Sequence, residues 1–86
     1  MTELREHQLK RLAMRSMRRG IKEMDIILSR YAELRLAGFD ADQLEHYDVL
    51  LSENDQDLYQ WVSGQLPPPA RFKDLVEDIK EVAFQR

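Results

Sequence analysis

Apolar residues recur at three- and four-residue spacing along most of the chain, and no stretch shows the alternation of apolar and polar positions, bounded by hairpin turns, that marks strands. The pattern predicts an all-helical protein. A first helix over residues 2–18 carries Leu9, Leu12, Ala13 and Met17 as its stripe, with Arg15, Arg18 and Arg19 near its negative C-terminal end. Gly20 marks a boundary or a bend. A second helix over residues 21–36 presents Ile21, Met24, Ile27, Leu28, Tyr31 and Leu34 on one side and stops at Gly38. Asp40 with Gln43 three positions later reads as a capping box, opening a helix over residues 41–52 that turns Leu44, Tyr47, Leu50 and Leu51 inward.

Ser52, Asn54 and Asp55 compete to cap a short fourth helix, with Asp55 and Asp57 in its first turn and Leu58, Trp61 and Val62 on its buried face. Gly64 ends it. Pro67, Pro68 and Pro69 lack backbone donors and predict a stiff extended connector. The last helix, over residues 70–84, aligns Phe72, Leu75, Val76, Ile79, Val82 and Ala83 opposite a charged face. Five short helices with short connections and no internal repeat predict a compact five-helix bundle, one domain over residues 1–86 with its core at about 9–84.

The chain has 86 residues, too few for a second independent core. A domain of this size buries only about 60–65% of its unfolded surface, so its helices or a partner must supply the stability. The composition, 43% hydrophobic and 34% charged, fits a soluble domain, and the longest apolar runs are three residues, as in Ile26-Ile27-Leu28. Stable membrane insertion is excluded on that count, because a span needs about 18 or more apolar residues. Glu3 and Glu6 are out of keeping with an acid-poor transit peptide, so the expectation is a bacterial-type cytoplasmic chain without a presequence. With no cysteine there is no disulfide, iron–sulfur site or thiol nucleophile.

Charge divides the chain. Residues 1–36 hold nine Lys/Arg against five Asp/Glu, net +4, and residues 37–86 hold four against eleven, net −7. A pI near 5.3 argues against a dedicated nucleic-acid binder. The competing reading is a small helical nucleic-acid-binding module using the basic segment 10–22; another is a basic first helix lying on anionic lipid. The opposed halves point more to a protein partner.

Catalytic and metal chemistry find no foothold in the pattern. His7 and His46 lack zinc-ligand spacing, and His46 reads as a solvated helix residue. Asp55-Gln56-Asp57 imitates the opening of a calcium loop, but Tyr59 and Gln60 stand where a ligand and the turning glycine belong. Phosphate-cradling and nucleophile-elbow motifs are missing. Met14 is the methionine expected on the surface, and Trp61 reads as a core anchor rather than a ligand platform.

One segment exceeds what local rules require: Arg15, Arg18, Arg19 and Lys22 lie within eight residues around Gly20, followed by Glu23 and Asp25. In the plain reading, the arginines complement a helix end, Gly20 takes a left-handed or cap conformation, and Glu23 satisfies a backbone donor. In the sharper reading, Gly20 lets another backbone approach, and Arg19 and Glu23, four apart, flank that gap on one helix face.

Arg19-Gly20-x-x-Glu23, continued by Met24-Asp25, resembles the RGxxE signature of the succinate dehydrogenase assembly factor, or flavinator, family. The basic lead-in over residues 9–19 is similar to that family's, and Asp55-Gln56-Asp57-Leu58-Tyr59-Gln60-Trp61 resembles its DxDLxxW segment, with Gln56 where proline is usual. The resemblance covers most of residues 9–66. It implies a five-helix, non-catalytic factor that binds the flavoprotein subunit of succinate dehydrogenase, and in some bacteria of fumarate reductase, and promotes its covalent FAD attachment. FAD then belongs to the partner, whose own histidine attacks the 8α carbon of the flavin, while the factor holds the partner's geometry. Independently of the resemblance, the isolated domain is expected to be a monomer or only weakly associating. The partner-binding set implied is Arg19, Gly20 and Glu23, then Asp25, with Arg15 and Arg18 beside them. Asp57 and Trp61 come from the second segment, where each also has a structural reading.

Overall fold

The computed structural model describes residues 3–84 and shows five helices without a strand among them. They are α1 (Arg5–Arg15), α2 (Lys22–Arg35), α3 (Ala41–Leu51), α4 (Asp55–Val62) and α5 (Lys73–Ala83), with 3₁₀ turns at Leu36–Gly38 and Ala70–Phe72. The predicted start of the first helix at Thr2 lies outside the described residues. Helix α2 is central and touches α1, α4 and α5, while α1 also packs on α3 and α4 on α5.

The stripes converge on one core. Leu44, Tyr47, Leu50 and Leu51 of α3, Leu58 and Val62 of α4, and Val76, Ile79 and Val82 of α5 are all buried, together with Phe72. Their spacing predicts this, since residues three and four apart share a helix face. The capping box at α3 is present: Gln43 N–H donates to Asp40 Oδ1 at 2.8 Å and Asp40 N–H to Gln43 Oε1 at 2.9 Å. At α4 the cap is Asn54, whose Oδ1 accepts from Gln56 N–H at 2.8 Å.

Several element ends differ from the sequence expectation. Helix α1 stops at Arg15, so Met17 falls outside its stripe and is 49% exposed. The cause is Ser16. Fully buried, its hydroxyl donates to the Leu12 carbonyl at 2.8 Å and lies 2.6 Å from the Tyr47 hydroxyl of α3. A serine proton given to Leu12 leaves Tyr47 as the donor in the second bond. Leu34 faces solvent, and Ala32 and Leu36 take the inner positions as α2 tightens into its 3₁₀ turn. Gly38 closes that turn, in keeping with the stop expected there, and left-handed glycine occurs at Gly64, with φ 84°. His46 is half-buried rather than solvated, its ring 5.3 Å from that of Phe72, and Trp61 is half-buried 6.0 Å from the same ring.

The buried tyrosines set an alkaline limit on stability. Burial pushes the Tyr47 hydroxyl up to about 12, and burial together with the bond it donates to Asp78 pushes that of Tyr31 up as well. In the unfolded chain both ionise near pH 10. The unfolded state therefore releases protons first as pH rises, and their stabilisation, whole below pH 10, declines above it. For Tyr47 the loss by pH 12 is roughly 2–3 kcal/mol, at about 1.4 kcal/mol per pH unit. Urea midpoints measured across this interval should fall, and Tyr47→Phe should flatten the decline; a midpoint independent of pH would contradict the burial of these hydroxyls.

Candidate functional site

The Arg-Gly segment connects α1 to α2 and is held by a carboxylate from α4. After Ser16 the chain turns through Arg18, which adopts left-handed φ 54°, an uncommon conformation for a side chain with a Cβ. That turn directs Arg19 inward. Its side chain is only 11% exposed, and its Nε donates to Asp55 Oδ1 at 2.7 Å. The remaining guanidinium nitrogens donate to the carbonyls of Arg15 at 3.0 Å and Leu51 at 3.1 Å, with a longer 3.5 Å bond to that of Glu53. Arg15 and Leu51 end α1 and α3, so the cation sits against two negative helix termini, while Asp55 occupies the positive first turn of α4. Charge and dipole agree at every contact.

Gly20 uses the same carboxylate. Its N–H donates to Asp55 Oδ2 at 2.7 Å, and a Cβ on Gly20 would stand 3.0 Å from that oxygen. A side chain at Gly20 would therefore crowd the chain's own Asp55, whose carboxylate would have to give by a few tenths of an ångström, and the left-handed conformation expected at Gly20 is found at Arg18. Helix α2 begins at Lys22, so Arg19 lies before it and cannot share a helix face with Glu23. The capping role read for Glu23 is also absent: Ile21, which precedes α2 as its cap residue, has no side-chain cap bond.

The other predicted residues separate by environment. Arg15 pairs with Asp48 and donates to Ser52 Oγ at 3.1 Å, and Arg11 forks onto both Glu3 and Asp48. Asp25 is half-buried and accepts from Ser29 Oγ at 3.2 Å. Arg18, Glu23 and Asp57 are exposed and have no ion-pair partner among the described residues. The fold thus gathers Arg15, Arg19 and Gly20 around the ends of α1 and α3, leaves Arg18 and Glu23 open on either side, and brings neither Asp57 nor Trp61 into hydrogen bonds with that cluster. Asp55 is the central residue that reading from spacing missed as a site residue, assigning it to the helix dipole. The available signal was its place as the first aspartate of the DxDLxxW segment.

Glu23 also borders an open groove of about 390 Å³ between α2, α4 and the end of α5, lined by Ile26, Ile27, Tyr59, Val62, Ser63 and Phe84. No group of three or more His, Cys, Asp or Glu side chains is placed to hold a metal ion among the described residues. None of the described helices is long and apolar enough to cross a membrane.

Comparison with known proteins agrees with the family that the sequence resembles. The family model described as flavinator of succinate dehydrogenase matches residues 10–83. A protein of Meyerozyma guilliermondii named succinate dehydrogenase assembly factor 2, mitochondrial, is 43% identical over 75 residues, covering 84% of this chain and 56% of its own. Proteins of the same name from Yarrowia lipolytica and Drosophila grimshawi are 40% and 38% identical over 85% and 83% of this chain, and over 54% and 50% of theirs. This chain spans about half the length of these relatives. Their names place them in mitochondria, which gives no support to the bacterial-type cytoplasmic expectation.

Proposed function

The chain belongs to the succinate dehydrogenase flavinator family, and from that premise we propose that it binds the flavoprotein subunit of succinate dehydrogenase, or of fumarate reductase, and promotes covalent FAD attachment there. The observation that carries this reading is the Arg19–Gly20 segment, locked by Asp55 so that Arg18 and Glu23 are presented on a fixed backbone with no partner among the described residues. Unpaired charges on a fixed backbone suit recognition, because no backbone freedom in this segment is lost when a partner docks.

In this reading FAD belongs to the partner and supplies the electrophilic ring carbon at which the covalent bond forms. The chain contributes no nucleophile or cofactor of its own. It binds and orients, as a monomer, and acceleration comes from holding the partner's reacting groups at attack geometry. The nucleic-acid reading is less favoured by the geometry: Arg11, Arg15 and Arg19 are paired with carboxylates of the same chain, so much of the basic segment 10–22 is already neutralised.

Glu23→Gln tests the reading directly. Glu23 is exposed and makes no capping bond, so the free domain's stability should move by less than about 1 kcal/mol. Loss of a charge pair desolvated in a complex should weaken binding by about 2–5 kcal/mol. Covalent flavin in the partner, seen as fluorescence in denaturing gels from cells that carry only the variant, should drop sharply. Full flavinylation with Glu23→Gln, in cells where deleting the whole protein abolishes it, would remove this motif as the functional surface.

A further inference from the structure

The groove beside Glu23 is built unlike the rest of the charged surface. Ile26 and Phe84 are 61% and 63% exposed at its rim, Tyr59 and Ile27 are half-buried along its walls, and buried Val62 lies at its base. Glu23 is its one charged lining residue and has no ion-pair partner among the described residues. Two large apolar side chains 58 positions apart in sequence, one on α2 and one just past the end of α5, thus frame one concave patch with a carboxylate at its edge that has no ion-pair partner among the described residues.

We propose that this groove seats an apolar side chain of a partner segment whose neighbouring arginine or lysine pairs with Glu23. The proposal rests on the flavoprotein reading and deepens it, by naming the chemistry of the segment that docks. Charge complementarity selects the occupant. A cation beside an apolar anchor satisfies both the carboxylate and the groove. The size is right for such an anchor, since 390 Å³ admits one or two large side chains and lies within the usual range of binding clefts. The rim residues Ile26 and Phe84 exclude water around the charge pair, which is where an interfacial ion pair contributes most.

The test uses the full chain and the purified flavoprotein subunit of succinate dehydrogenase. Ile26→Glu, which places a like charge beside Glu23, should weaken the complex by roughly thirtyfold or more, and Phe84→Ser by about tenfold, as for apolar anchors at an interface. Both positions are exposed, so thermal melting of the free chain should be unchanged. A photo-cross-linker at position 26 should attach to a flavoprotein peptide that is apolar and carries Arg or Lys, and reversing that cation to Glu should be rescued by Glu23→Lys. The proposal is overturned if both rim variants bind within about threefold of the parent, if position 26 cross-links to a second copy of this chain, or if the attached peptide has no basic residue. Those outcomes leave the flavoprotein reading standing. Failure of the unmodified chain to bind the subunit at all would overturn both.

Discussion

Val76→Asp should leave the chain largely unfolded, with helical circular dichroism collapsing toward that of a disordered polypeptide. Val76 is fully buried on α5, between Phe72 and Ile79 in a stripe that faces α2 and α4. An aspartate there has no cation within the core, where Leu28, Tyr31, Leu58 and Val62 are also buried, and burying an unpaired charge costs several kcal/mol even after its pKa adjusts. A domain of this size holds a small share of the roughly 5–15 kcal/mol typical of folded proteins, so that single term consumes most of it. Val76→Ala should cost about 1–3 kcal/mol and keep a cooperative transition. Lys73→Asp, on the exposed face of the same helix, should be nearly silent. Equal melting curves for Val76→Asp and Lys73→Asp would mean that α5 is not packed on the bundle.

The contrast between those two positions was legible in the sequence, because periodicity reports which face of a regular helix is buried. The same logic places Leu44, Tyr47, Leu50 and Leu51 in the core. It fails where an element's end is decided by a distant partner. Met17 has the right spacing for a helix that runs on, but α1 stops at Arg15, and the segment beyond it is tied to distant partners: Ser16 bonds Tyr47, 31 residues away, and Arg19 bonds Asp55, 36 residues away. His46 offers no local hint that its ring lies on Phe72. In the candidate site, the motif residues were visible as an excess of charge around a glycine. Their division of labour was not. Arg19 turns inward and, with the exposed Gly20 amide, bonds Asp55, while Glu23 faces outward, a distinction that depends on where α4 begins in space rather than on spacing within the motif.

Asp55→Ala is therefore expected to destabilise the free domain more than any substitution at an exposed member of the motif. It leaves the Arg19 guanidinium, 11% exposed, without its anion, and the Gly20 N–H without its acceptor. Removing one partner of a fully buried ion pair costs about 3–5 kcal/mol; Asp55 is 18% exposed and Arg19 keeps its carbonyl contacts, so about 2–4 kcal/mol is expected in denaturant titration. Asp55→Asn keeps a bond to the glycine amide and should lose only about 1–2 kcal/mol. In a double-mutant cycle with Arg19→Ala, the two losses should fall short of additive by roughly 0.5–3 kcal/mol, because each single change already breaks the shared bond. Gly20→Ala should couple to the same residue, since its Cβ would press within 3.0 Å of Asp55 Oδ2 and the carboxylate must retreat. Additive losses, or a melting curve unmoved by Asp55→Ala, would sink the account of Asp55 as the clamp. If both the clamp and the proposed flavoprotein binding hold, Arg19 and Gly20 would act on that binding through the position of the backbone between Arg18 and Glu23. Asp55→Asn, still folded, should then weaken the complex although the exposed charges of Arg18 and Glu23 are intact.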